Sequence, residues 1–202
     1  MRAPQIRDAI VRGMTKAGLI MMLLLAWAFI PAFVHGETAA PSGTEVRINQ
    51  TASEAHITPS EWDQILDLLD DDSESDWERE RAAELRFRRV PLSDTKAESI
   101  LVQSISEHDC GATGNCTVWV VRETNGKLEL ALNGTVADDV RVQNEKSSGL
   151  ANLVIRANQS ANENMVEVFA FDGQRYAAHN CYRETLAEGG TEANSIQPVI
   201  CN

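Results

Sequence analysis

Aromatic residues are scarce in this chain, with two tyrosines, five phenylalanines and four tryptophans in 202 positions. Trp62, Trp77 and Trp119 are the tryptophans beyond the N-terminal segment, and they offer no sugar-stacking platform. Trp119 sits inside an apolar run, where core packing is the expected role of its large ring. Basic residues are also in deficit, 18 against 30 acids. A surface that acidic repels phosphate backbones and anionic membranes, so neither nucleic acid nor a lipid surface is an expected partner. A basic protein is the partner the charge favours. Several chemical signatures are missing too. No serine lies in a G-x-S-x-G elbow. No C-x-x-C pair is present. The Gly111–Asn115 stretch G-A-T-G-N lacks the Gly-Lys-Ser/Thr ending of a phosphate loop and leads into a strand.

The N-terminus is the one place with a long apolar run. Arg2, Arg7, Arg12 and Lys16 precede Ala17 to Val34, and Val34 and Gly36 stand at the −3 and −1 positions of a cleavage site before Glu37. This layout predicts a signal peptide over residues 1–36. An uncleaved signal anchor is the alternative, because 18 apolar residues approach the length of a membrane span. Pro31 and the small residues after it favour cleavage, which leaves no stable membrane anchor. Removing the segment takes away four basic residues and Asp8, so the remaining 166 residues carry a net charge of −15. The expected location is exported, periplasmic or secreted.

All four cysteines, Cys110, Cys116, Cys181 and Cys201, follow this segment. An even number in an exported chain reads as two disulfides, and three connectivities are open. Cys110–Cys116 with Cys181–Cys201 is favoured because each pair is local. Cys110 and Cys116 bracket C-G-A-T-G-N-C, with His108 and Asp109 just upstream. With His108 and His179 they make a conceivable zinc set, but disulfide formation competes directly with metal. Gly111 and Gly114 allow the positive φ that so tight a loop requires.

Residues 37–57 are small, polar and without a sustained period, the composition of a flexible lead-in. A helical segment is predicted over 58–84. Thr58, Pro59 and Glu61 form a capping box ahead of Trp62, Ile65, Leu66 and Leu69 on one face. A second helical stretch is expected from about Ser75 to Leu85. Between them the acids Asp70, Asp72, Glu74 and Asp76 alternate as in a calcium loop. Ser75 and Arg81 occupy the positions that require glycine and glutamate there, so a solvated acidic turn is the reading.

From residue 85 to 202 the character is β. Short β-branched and aromatic runs recur without helical crossovers, and about eight antiparallel strands are counted between 85 and 183. They predict a small sandwich or a partly closed barrel with a C-terminal tail held by Cys181–Cys201. Asn125-Gly126 and Asp172-Gly173 both read as type I′ hairpin turns. Leu128, Leu130 and Leu132 are expected on one face, with Glu129 and Ala131 on the other.

Among chemistry-bearing residues, His56, His108 and His179 stand apart from any nucleophile elbow, and Cys110 has Cys116 as its nearer partner. Sequons occur at Asn49, Asn115, Asn133 and Asn158. No catalytic, cofactor-binding or metal-binding residue is assigned, no cofactor is expected, and the reading is a non-enzyme.

The residues L-R-F-R-R-V-P-L, C-G-A-T-G-N-C-T-V-W-V-V, F-D-G-Q-R-Y and C-Y-R-E resemble a group of small exported bacterial proteins. Those proteins share a C-G-x-T-G-N-C-x-x-W core and an F-D-G-x-x-Y hairpin. The resemblance covers about residues 85 to 184. It implies export and a β fold, and supplies no catalytic residues. A weaker resemblance is to periplasmic lysozyme inhibitors, some of which present a Ser-Gly-x-x-Tyr loop. Here Ser148-Gly149 is followed by Leu150, Ala151 and Asn152, with no tyrosine. The expectation is a non-catalytic extracytoplasmic domain that binds a protein or cell-envelope component. Inhibition of a basic cell-wall hydrolase is the alternative, and hydrolysis by dispersed acids or histidines a third.

Overall fold

Thr58 opens the first helix as its sequence predicts. Its hydroxyl accepts from the Glu61 N–H at 3.2 Å, and the Glu61 carboxylate accepts from the Thr58 N–H at 2.8 Å. In the computed structural model, which describes residues 41–72, 77–95, 97–187 and 193–201, this helix α1 spans Pro59–Asp70. The segment expected to be a signal peptide lies outside the described residues, as do Glu74 and Asp76 of the acidic alternation. Among the described residues no helix is long and apolar enough to cross a membrane.

Ten strands are present among the described residues: β1 (Thr44–Glu45), β2 (Leu85–Val90), β3 (Ser99–Ser104), β4 (Cys116–Thr124), β5 (Lys127–Ala137), β6 (Asp139–Ser147), β7 (Leu150–Ser160), β8 (Glu163–Phe171), β9 (Tyr176–Leu186) and β10 (Ala193–Val199). They form two antiparallel sheets, one in the order β1-β6-β7-β8-β9-β10 and one in the order β2-β3-β4-β5. Two stacked sheets, with no closed barrel, resolve the expected alternatives in favour of the sandwich. The eight strands predicted between 85 and 183 are β2 to β9. The other two come from segments whose polar composition hides them.

One of these is the supposed flexible lead-in. Residues 41–57 run from the edge of β6 to the edge of β2: Thr44 pairs with Val142, the Val46 N–H donates to Val140 O at 2.9 Å, and Gln50 pairs with Phe87. Ile48 and Ala55 are buried there. Backbone pairing and two small apolar anchors order a segment that lacks periodicity. The other is β10, whose Val199 lies opposite Cys181.

The four-stranded sheet is buried on both faces. Val90, Leu101, Val118 and Val120 meet Val140, Leu153, Ile155 and Phe169 of the larger sheet. Phe87, Ile100, Val102, Trp119 and Val121 meet Ile65, Leu66 and Leu69 of α1. Burial on both sides explains the unbroken apolar run Ile100–Val102 in β3, where one wet face would impose alternation.

Three local expectations are corrected. The second helical stretch is a 3-10 turn, Arg79–Glu84. Its arginines serve ion pairs more than a helix dipole: Arg79 holds Asp67 and Asp70 of α1, each at 2.5 Å, and Arg81 pairs with Asp109. Leu132 does not share a face with Leu128 and Leu130. The β4–β5 register shifts beside Val120, so Leu132 enters the inter-sheet core while the other two meet the helical layer. Asn125 and Gly126 do adopt positive φ, 54° and 79°, but at Asp172-Gly173 only the glycine does. Asp172 instead accepts from the Gln174 and Arg175 N–H groups at 2.7 and 2.8 Å, capping a longer connection.

Candidate functional site

The cysteine loop is a structural joint. Cys110–Cys116 and Cys181–Cys201 are both disulfides, and no free cysteine is present among the described residues. The Gly111 N–H bonds Asn115 O at 2.8 Å across the loop; Gly114 takes φ 82°, whereas Gly111 does not use the positive region. Buried Asn115 donates to Asn158 O at 2.8 Å and accepts from the Asn158 N–H at 2.7 Å. A side-chain amide thereby mimics a strand pair and ties the loop of the smaller sheet to β7 of the larger. That engagement leaves the Asn115 sequon inaccessible, while Asn49 is exposed. His108 sits in the turn before Cys110 and His179 in β9. No group of three or more His, Cys, Asp or Glu is placed to hold a metal among the described residues.

A different set of residues forms a concavity. Between β5 and the β8–β9 hairpin lies a cleft of about 460 Å³, walled by Leu132, Phe169 and Tyr176, with Thr135, Glu167 and Arg175 as polar lining. This volume falls in the range of small-molecule sites. Both walls are shaped by irregularities. The β4–β5 register skips between Val118–Thr135 and Val120–Leu132, bulging Asn133 and Gly134. The β8–β9 register skips between Val168–Asn180 and Phe169–Ala178, so His179 is the extra residue. Bulges re-aim neighbouring side chains and recur beside binding sites. The first is anchored by Asp72, whose Oδ2 accepts from the Gly134 N–H at 2.8 Å and from Trp119 Nε1 at 2.9 Å. Asp72 belongs to the acidic stretch read as a solvated turn, yet it is 7 % exposed.

Glu167 is the chemically distinctive group in the cleft. It lies opposite Ile155 of β7 and Cys181 of β9, on the core-facing side of β8 with Phe169. Its Oε1 is 3.7 Å from Cys181 Sγ, and no cation pairs with it among the described residues. Burial pushes its carboxyl above the usual glutamate value of 4.5. Tyr176 is likewise pushed up by burial, and its hydroxyl donates to Ala151 O at 2.7 Å. Sequence reasoning overlooked Glu167, although a signal exists: in N-M-V-E-V-F-A-F the glutamate shares its period-two face with Phe169 and Phe171.

A raised folded-state value means that the native protein binds its proton more tightly than the unfolded chain. Native stability from this group is therefore full below pH 4.5 and declines as pH rises through the elevated value. Glu167→Gln is expected to raise Tm at pH 7, with the difference closing as pH falls to 4.5; thermal melts across that range measure it. Equal melting temperatures at neutral pH would contradict the assignment.

No protein family, curated protein or solved structure matches the chain. The site is therefore read from its own chemistry. Among the described residues Glu167 is the sole acid lining this cleft, so they do not assemble there the paired carboxyls of glycoside hydrolysis. The larger depression, about 560 Å³ beside β1, is lined by Glu45, Arg47, Arg88 and Arg89. There Arg47 is paired with Glu45 and Arg89 with Glu61. Ser148-Gly149 forms the tight β6–β7 turn, with φ 46° and 90°, and Leu150, Ala151 and Asn152 behind it are buried. That segment is not offered as an inhibitory loop.

Proposed function

We propose that this protein is a non-catalytic extracytoplasmic binding domain whose partner is a basic protein, or a basic component of the cell envelope. The observation that supports it most is the charge of the helical layer. Asp63, Asp67, Asp70, Asp71, Glu78 and Glu80 are exposed there. Arg79 lies among them, but Asp67 and Asp70 already engage it. Such a one-sign field accelerates and selects encounter with an oppositely charged surface. Two disulfides suit an oxidising compartment, and the exported, periplasmic or secreted location belongs to the same reading.

Binding to a basic lysozyme and to an acidic protein of similar size, at low and high salt, tests it. The lysozyme is expected to bind at low salt and to be released by added salt. Replacing Asp63 and Asp71 with Asn, and Glu78 and Glu80 with Gln, should weaken that binding. Equal affinity for both proteins, or an unaffected variant, would reject the reading. Lytic activity measured in the same mixtures separates binding from hydrolase inhibition.

A further inference from the structure

Four shielded acids in this protein are paired with arginine, and a fifth, Asp72, is held by the Trp119 and Gly134 N–H groups. Glu61 meets Arg89 at 2.8 Å, Asp139 meets Arg141 at 2.7 Å, Glu184 meets Arg156 at 3.5 Å, and Asp109 meets Arg81. Pairing offsets the desolvation of a carboxylate that loses part of its water. Glu167 departs from the pattern. It is half-buried at the core-facing side of β8, with its Oε1 3.7 Å from a disulfide sulfur. It also lines the cleft beside Leu132, Phe169 and Tyr176.

We propose that this cleft binds the end of an aliphatic organic cation, a primary ammonium or a guanidinium, with Glu167 as its counter-charge. Leu132, Phe169 and Tyr176 supply apolar wall for the alkyl stem, as protein surfaces do for the stems of lysine and arginine. The cation gives Glu167 the kind of partner that Glu61, Asp109, Asp139 and Glu184 possess. Arg175, the other charged residue lining the cleft, excludes a second positive charge nearby. The ligand is therefore a terminal monoamine or a lysine-like side chain. This site is separate from the acidic helical layer and does not depend on it.

n-Pentylamine, with 1-pentanol as its uncharged counterpart, probes the cleft of the intact disulfide-bonded protein by NMR titration. The amine is expected to bind on the order of tenfold more tightly than the alcohol, the effect of one charge-assisted contact. Glu167→Gln should abolish that difference. Binding should weaken as pH falls through the Glu167 titration, and saturating amine should draw that titration to lower pH. The last measurement uses the wild-type carboxyl resonance alone, so it stands even if the variant folds poorly. Equal binding of amine and alcohol, an unchanged amine affinity in Glu167→Gln, or a carboxyl resonance indifferent to the amine would each overturn the proposal. Acetyl-lysine amide, compared with its norleucine analogue, distinguishes the source. Charge-dependent binding of this peptide form supports a protein side chain as ligand, and charge-dependent binding of pentylamine alone supports a free amine. Neutralising Asp63, Asp71, Glu78 and Glu80 is expected to leave the pentylamine titration unchanged, so failure of the helical-layer reading does not remove this site.

Discussion

Asp72→Ala is expected to lower the unfolding free energy by about 2–4 kcal/mol, from the cost of orphaning two N–H donors with little access to water. Trp119 Nε1 belongs to a side chain with no exposed surface, so it cannot turn to solvent when its acceptor is removed. The Gly134 N–H is half-buried, and partial hydration there keeps the estimate below the sum of two full penalties. Asp72→Asn is the informative companion. A side-chain carbonyl in the place of Oδ2 accepts from the same donors, so its cost is about 1 kcal/mol, the difference between charged and neutral acceptors. Urea unfolding followed by tryptophan fluorescence measures both. Similar losses in the two variants would mean that charge matters more than these contacts. Because Gly134 is in the β5 bulge, Asp72→Ala should also loosen the cleft wall opposite Glu167.

The second large effect concerns Asp109. Its side chain is 4 % exposed and paired with Arg81, whose side chain is 13 % exposed. Ser104 Oγ donates to its other carboxylate oxygen at 2.5 Å. Truncating one member of a buried pair leaves the other charge uncompensated, a loss of about 3–5 kcal/mol. Glu78 lies 3.8 Å from the Arg81 guanidinium and takes over part of the role, so Asp109→Ala is expected near 3 kcal/mol. Combining it with Arg81→Met should recover part of that loss, because the stranded charge is gone. Strictly additive losses in this cycle would show that the two side chains are not coupled. Asp109 directly precedes Cys110, and the ion pair thus anchors the stapled loop to the 3-10 turn.

Both residues illustrate where sequence reading stops. Asp72 and Asp109 are two acids among 30, and nothing local separates them from the solvated ones. Their burial follows from contacts 62 and 28 positions away along the chain, to Gly134 and Arg81. The Leu128–Leu132 alternation failed for a related reason. Its register depends on a bulge relative to β4, which the sequence of β5 does not encode by itself. Glu167 is intermediate: its core-facing phase is visible in the strand pattern, but the cavity in front of it is not.

What the sequence by itself determined is local or compositional. The α1 cap follows from side chains three residues apart, the Asn-Gly turn from its tolerance of positive φ, and the β class from the period of apolar residues. The two local disulfide pairings follow the same economy of distance along the chain. The tertiary structure alone decided that the smaller sheet is covered on both faces, that polar segments become β1 and β10, and that one glutamate faces a cleft with no ion-pair partner among the described residues. These outcomes depend on which surfaces meet, and burial is a property of the meeting rather than of the residue.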